Sequence, residues 1–404
     1  MEQIKRFVAD FGLPRVIIAV YLLALFTMAP AVGVSLPGAI TDVLTRIGMN
    51  GIMVLALVPM IQSGCGLNFG LPLGVIAGLL GATYSIELSG FITEAMSAIG
   101  LNPFVTLESG AVSLNNLAGF CIFVAAICIA IPIAAVLGYF YGALLNRVKG
   151  GEMMIATYVG FSSIYLMSIA WLVLPYKSPV MIWGFSGDGL RATISVEGFW
   201  RQILDDFLSP QFLTNKESGE VIFKFLTGPL NPDIQKAIRE TYFSTFKFPT
   251  GSILFFLLAS LTVWAFFRLK IGTAMTAVGS NPNFARASGI NVNRMRTVSV
   301  IISTILGAIG IIVYQQSFGF IQLYDGPLYM AFPAIAAILI GGAGVNKASL
   351  ANVFIGVALY QGILVMTPLV FNTVLKLDMS DVIRIIVSNG MILYALTRKT
   401  KVLK

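Results

Sequence analysis

The sequence predicts an all-α protein that crosses a lipid bilayer many times, and three observations carry that expectation. Hydrophobic residues make up 57% of the 404, mean hydropathy is +0.87, and charged residues are 11%, well below the share in an average soluble domain. Apolar runs long enough to span a hydrocarbon core of about 30 Å recur between Arg15 and Arg398. Such a composition excludes a water-soluble enzyme. There is no histidine, and Cys65, Cys121 and Cys128 all lie in apolar surroundings. A zinc site, a His-based catalytic site and a disulfide scaffold are therefore not expected, and no residue is assigned a catalytic role.

In chain order the apolar windows are 15–34, 46–62, 70–86, 117–145, 153–174, 250–268, 298–314, 328–344, 350–366 and 381–397. The first follows Lys5 and Arg6 and has the outline of a secretory leader, with Ala29-Pro30-Ala31 as a weak cleavage site. An uncleaved first helix suits a multi-span chain better. About ten spans put both termini on one side. Taking that side as cytoplasmic places fifteen of the 26 basic residues inside, but only Glu2, Asp10 and Glu152 of the 18 acidic ones, in accord with the positive-inside rule. The net charge of +8 then expresses topology, and no nucleic-acid partner is expected.

The chain reads as one transmembrane domain, 1–404, interrupted by two connections longer than ordinary loops. The outside insert, 176–249, carries Phe199, Trp200, Ile203, Leu204, Phe207 and Leu208 at helical spacing, with Arg201, Gln202, Asp205 and Asp206 opposite. This pattern predicts a helix on the membrane surface. Asn231-Pro232 starts a second short helix with Ile234, Ala237, Ile238 and Tyr242 on one face. The insert either receives an extracytoplasmic partner or caps the bundle; composition does not separate these.

Two stretches are candidates for function. After Gln62 come Gly64, Gly66, Gly70, Gly74 and Gly78, the last four at four-residue spacing on one helical face. The polar, glycine-rich run Ser63–Phe69 suggests a broken helix whose free backbone groups line a cavity. Ser63, Gly64, Gly66, Asn68 and Gly70 are accordingly the candidate translocation-path residues, with tight helix packing as the alternative. In the inside loop, 270–297, Ser280 or Asn281 caps a helix start, Pro282 suits its first turn and Gly289 its stop. The expected product is a short rigid helix offering Phe284 and alanines to a partner groove and Arg286 to a polar contact, flanked by Lys270, Arg294 and Arg296. An ordinary connecting loop is the alternative.

Nucleotide sites are not expected on this chain. Gly341 to Ala348 has the outline of a phosphate loop, but Asn346 replaces the glycine before Lys347, and Ala348 replaces the magnesium-binding hydroxyl. Gly64-Cys65-Gly66 lacks a glycine at Phe69. No Asp, Glu, Lys or Arg falls near the middle of any window, which argues against coupling to ions through a titrating carboxylate.

Residues 45 to 397 resemble the permease subunits of bacterial ABC importers in the ribose, galactoside, nucleoside and branched-chain amino acid superfamily. The strongest match is Ala277-Val278-Gly279, Asn281, Ala285-Arg286 and Ser288-Gly289-Ile290-Asn291-Val292, similar to the family's cytoplasmic coupling helix. Ala334 to Ile338 with Gly341-Gly342, and Gly142 to Asn146 with Ile155-Ala156-Thr157, match as well. The resemblance implies a multi-pass permease of the bacterial inner membrane. Gly279, Asn281, Ala285, Arg286, Ser288, Gly289 and Ile290 would touch a separate ATP-binding subunit, which would hold the ATP and magnesium. It further implies a second permease copy or homologue and an extracytoplasmic solute-binding protein. Where sugar-type relatives carry an acidic residue, Gly66 precedes Leu67, whereas Glu152 before Met-Met-Ile-Ala-Thr looks nucleoside-like and Gly341-Gly342 sugar-like. The expected cargo is a small polar solute, a simple sugar or a nucleoside. An ion-coupled secondary transporter acting without an ATPase is the alternative.

Overall fold

Each of the first nine apolar windows contains a helix. The computed structural model describes residues 13–106, 112–148, 150–182, 190–206, 248–344 and 347–376, with 382, 385, 386 and 390 beyond. Helix α1 (Leu13–Met28) ends at a 3-10 turn closed by Gly33. Helix α2 (Leu36–Leu55) runs through Ala56 into α3 (Leu57–Gln62). Helix α4 (Leu71–Glu87) bends by 51° into α5 (Ser89–Ala98). Then come α6 (Asn116–Arg147) and α7 (Glu152–Val173). Among its described residues the insert contributes one helical turn, α8 (Ile203–Asp206). Helices α9 (Thr250–Arg268), α10 (Lys270–Ser280), α11 (Pro282–Ala287), α12 (Val292–Phe318), α13 (Gly326–Ile340) and α14 (Leu350–Leu375) follow among the described residues.

Among the described residues seven helices are long and apolar enough to span a membrane, or eight if the bent α4–α5 pair is one span. The sequence predicts ten. Helix α13, at 15 residues, reaches only about 22 Å, and the window 381–397 lies almost wholly outside the described residues, as do both termini. The bundle is nonetheless that of a multi-pass membrane protein.

Helices α4, α6 and α12 form the closest-packed group. Small residues let their backbones approach: Gly74 and Gly78 lie against Thr304, Gly307 and Ala308 of α12, and Gly138 and Gly142 of α6 against Thr297, Ile301 and Thr304. Helices α2–α3 and α14 are interior, with 78% and 72% of their apolar windows buried, whereas α1 at 11% and α7 at 17% lie at the periphery.

Three local expectations change. Helix α2 begins at Leu36 with Pro37 in its first turn, ten residues before its window, because Thr41, Asp42, Thr45 and Arg46 lower the hydropathy without breaking the helix. Asp42 and Arg46 thus belong to a spanning helix, as its seventh and eleventh residues. The glycine periodicity is not one helical face: Gly66 has φ +80, Gly70 precedes α4, and only Gly74 and Gly78 are helical. In the insert, Phe199 to Gln202 form turns, and among its described residues only α8 is helical. Trp200 and Leu204 are buried in the main core, so this apolar face packs on the bundle.

Short strands appear that the hydropathy pattern does not suggest. β1 (Phe104–Thr106) pairs antiparallel with β2 (Val112–Leu114), and β3 (Thr193–Ser195) with β4 (Phe320–Gln322). The second pair stitches the insert to the loop after α12. Near it the carboxylate of Asp205 accepts from Ser252, and Gln316 Nε2 donates to Ser252 Oγ at 2.9 Å. The insert's second predicted helix, from Asn231, lies outside the described residues.

Candidate functional site

At the end of the bundle opposite the β3–β4 pair, α11 is capped on both sides as its residues require. Asn281 is extended, and its Oδ1 accepts from the amides of Asn283 and Phe284 at 3.1 and 3.0 Å, satisfying two orphan donors of the first turn. Gly289 has φ +79, which lets the amide of Ile290 reach back to the carbonyl of Ala285 at 3.0 Å, a Schellman-type stop. Asn291 Oδ1 then accepts from the amide of Arg294 at 3.0 Å and starts α12.

Ala285 is fully buried with Val278 and Val292, with Ile290 and Met295 packed beside them. This small cluster fixes α10, α11 and the start of α12 as one unit. Phe284 is 67% exposed, and Asn281, Arg286, Ser288 and Gly289 are exposed too. A shallow cavity of about 310 Å³ lies between Arg286, Gly289, Ile290 and Asn291–Asn293. The helix is rigid on its inner face and open on its outer face.

Gly279 sits differently. It is pressed against the α3 terminus, where an added Cβ would overlap the Gln62 carbonyl and lie 3.0 Å from the Gly64 amide nitrogen. Thr276 Oγ1 donates to Gln62 Oε1 at 3.2 Å, and Gln62 Nε2 donates to the Ala348 carbonyl at 2.7 Å. Arg296 Nη2 donates to the Gly64 carbonyl at 3.1 Å and to Glu152 Oε1 at 2.9 Å. Glu152 Oε2 in turn accepts from the Gly150 amide at 3.0 Å. Segment 62–64 therefore receives contacts from α10, α12 and the loop before α14, and Arg296 ties it to Glu152 at the start of α7. Sequence reasoning misses Gln62, Glu152 and Arg296 as site residues, because their partners on other elements lie more than 100 residues away along the chain and leave no local pattern.

The broken segment follows directly. Gly64 at φ +75 and Gly66 at φ +80 turn the chain through conformations that other residues resist. Ser63 Oγ donates to the Met60 carbonyl at 2.9 Å and shares a hydrogen bond with Ser299 Oγ at 2.6 Å. Asn68 Nδ2 donates to Ser303 Oγ at 2.8 Å, and Tyr141 OH donates to Asn68 Oδ1 at 3.1 Å. Ser303 Oγ donates to the Ala56 carbonyl at 2.6 Å. Ser299 and Ser303, one turn apart on α12, thus hold the segment on one face.

Of the five candidate path residues, Ser63, Gly66, Asn68 and Gly70 are buried within the protein and Gly64 is half-buried. Gly64 and Gly66, with Cys65, border a cavity of about 440 Å³ whose other wall is Gly150–Met154. Buried polar groups that are paired with each other hold a single arrangement. The unit α10–α11 thus touches segment 62–70 at Gly279 and continues directly into α12.

The family described as branched-chain amino acid transport system / permease component matches residues 39–392, a range that contains every element of this site. No curated protein and no solved structure gives a match. The matched range covers most of the chain and runs from the second spanning helix past the last described one, and on that ground the chain belongs to this family of ABC-type membrane permeases.

Proposed function

We propose that this chain forms the translocation path of an ATP-driven importer for a small polar solute, a simple sugar or a nucleoside. ATP and magnesium would be held by a separate ATP-binding subunit docked on residues 279–290, at the cytoplasmic end. A second permease copy or homologue and a solute-binding protein at the β3–β4 end complete the assembly. Segment 63–70 lies on the path or against it. One observation carries this reading: a doubly capped helix with its outer face exposed is seated through Gly279 on the break between two spanning helices. A partner that grips α11 differently in two states shifts the bundle by that difference in affinity.

The charge reversal Arg286→Glu and the substitution Gly289→Pro test this. Proline cannot adopt the positive φ of Gly289 and removes the amide that bonds the Arg286 carbonyl at 3.0 Å. Neither residue belongs to a spanning helix, so membrane insertion and bundle stability are expected to persist. Solute-stimulated ATP hydrolysis by the reconstituted complex should fall between about 5- and 150-fold, the range of ordinary coupling energies. Wild-type stimulation in both variants contradicts the proposal.

A second reading, an ion-coupled carrier that needs no ATPase, is favoured by Asp42 and Arg46 lying inside α2, since ionisable groups in spanning helices serve ion pathways as well as solute pathways.

A further inference from the structure

We propose that the rings of Phe69, Phe161 and Phe332 form the constriction of the solute path, an apolar seal that is closed in this structure. This deepens the importer reading and rests on it. That reading says which segment borders the path, whereas this inference says which side chains shut it. The Phe332 ring lies 6.3 Å from that of Phe69 and 5.4 Å from that of Phe161, centroid to centroid. Three separate elements, the break after α3, helix α7 and helix α13, thus meet through one ring.

Depth, exposure and the neighbouring hydroxyls support the seal. Phe161 is the tenth of 22 residues in α7 and Phe332 the seventh of 15 in α13, which puts both rings near mid-helix. Gly160 brings Phe69 to the same depth: an added Cβ there would overlap the Phe69 carbonyl. Residue 69 is not helical, and irregular backbone at membrane depth persists only where protein covers it or water reaches it. The Phe332 ring covers it in part, yet Phe161 is 38% exposed and Phe69 and Phe332 are half-buried. The cluster therefore stands at an open edge of the bundle. Along that edge Phe161 shares a helical face with Tyr158 and Tyr165, which are exposed, as is the adjacent Ser162. Lipid offers hydroxyls at mid-helix no partner and water does, whereas the exposed side of α9 presents Leu254, Leu257, Leu258 and Leu261.

Two features let the rings part. Pro333 lies inside α13 directly after Phe332 and supplies no amide to the carbonyl four residues back, which makes this a point of helix bending. Phe69 belongs to segment 62–70, which α10 touches at Gly279. The cavity of about 440 Å³ between Gly64–Gly66 and Gly150–Met154 is bordered by the same two elements that carry Phe69 and Phe161. Glu152 is the charged residue of its lining among the described residues, and its two oxygens are met by Arg296 and the Gly150 amide. A neutral polar solute can occupy this cavity without stripping an ion pair, and parted rings offer its carbon face an apolar contact.

Leakage through the co-purified complex in proteoliposomes, without ATP, tests the seal. Phe161→Ala and, independently, Phe332→Ala are compared with wild type, with Phe332→Leu, and with Phe140→Ala on α6, where the ring is 66% exposed. Efflux of radiolabelled ribose should rise about tenfold in both alanine variants, the loss of one ring contact read as a barrier. Efflux of the trisaccharide raffinose should stay at the wild-type rate, and Phe332→Leu and Phe140→Ala should hold ribose as wild type does. Wild-type ribose efflux in either alanine variant, escape of raffinose together with ribose, or an equal leak in Phe332→Leu or Phe140→Ala overturns the seal. A second measurement bridges Phe161→Cys to Phe332→Cys with a membrane-permeant bis-methanethiosulfonate, Cys121 and Cys128 being replaced by serine and the buried Cys65 retained. Bridging should abolish ATP-driven uptake and reduction should restore it; uptake unchanged by bridging contradicts the seal. ATP dependence of uptake by the parent complex is measured in parallel. ATP-driven uptake with tight alanine variants removes the seal alone, and leaking alanine variants with uptake that ignores ATP remove the importer reading alone.

Discussion

Alanine at position 279 is expected to uncouple transport from ATP hydrolysis while leaving the chain folded in the membrane. Its Cβ would overlap the Gln62 carbonyl oxygen and approach the Gln62 carbonyl carbon to 2.8 Å and the Gly64 amide nitrogen to 3.0 Å. All three are backbone atoms at a helix end, so no side-chain rotation relieves the crowding. Helix α10 must back away from α3, and the hydrogen bond from Thr276 to Gln62 at 3.2 Å breaks first. Docking on α11 would continue, but its displacement would no longer reach segment 62–70 directly. Transport by the reconstituted complex should fall between about 5- and 150-fold, with solute stimulation of hydrolysis falling alongside it. Ser280→Ala is the matched control, because the Ser280 hydroxyl is exposed and bonds the Ala277 carbonyl of its own helix. Wild-type coupling in Gly279→Ala would remove Gly279 from the transmission route.

Leucine at position 74 is expected to separate α4 from α12 and to destabilise the bundle. The first added carbon alone would stand 2.7 Å from the Thr304 carbonyl oxygen and 3.3 Å from the Gly307 Cα. Gly307 faces Gly74 in return, so neither helix has slack to give. Overpacking of this kind costs ~3 kcal/mol or more when backbone has to move, and in lipid the close approach of small residues is itself the source of helix association. The thermal midpoint in detergent should drop clearly and transport should be lost. Gly90→Leu gives the comparison: an added Cβ there meets nothing within 4 Å, and its midpoint should stay near wild type. An unchanged midpoint for Gly74→Leu would refute the assignment of this contact as a packing seam.

Those features that depend on neighbours along the chain are legible in the sequence. The cap at Asn281, the first-turn proline at Pro282 and the left-handed stop at Gly289 each follow from one residue's backbone preference and recur in place. Apolar windows likewise locate nine helices, since a spanning helix satisfies its own backbone and needs only length and composition to be recognised. Boundaries fail where tertiary surroundings overrule composition. Asp42 and Arg46 sit beside a cavity, so the helix accepts them and begins ten residues earlier than hydropathy suggests.

The insert shows the same limit from another side. An amphipathic pattern states that one face avoids water, but not whether lipid or protein covers it, and Trp200 is buried in the main core. Segment 62–70 shows a third. Its glycines signal a break, yet the partners that hold it, Ser299, Ser303 and Arg296, arrive from more than 200 residues away. Pairings across such distances leave no periodicity to read.

A permease moved by a motor it does not contain must depend on that motor for uptake, and solute accumulation in proteoliposomes measures this most directly. The complex co-purified from native membranes and the isolated chain are each reconstituted, with ATP on the α11 side or with proton and sodium gradients alone. Uptake that requires both the co-purified ATP-binding subunit and ATP is the predicted result. Concentrative uptake by the isolated chain on an ion gradient, without nucleotide, would contradict it.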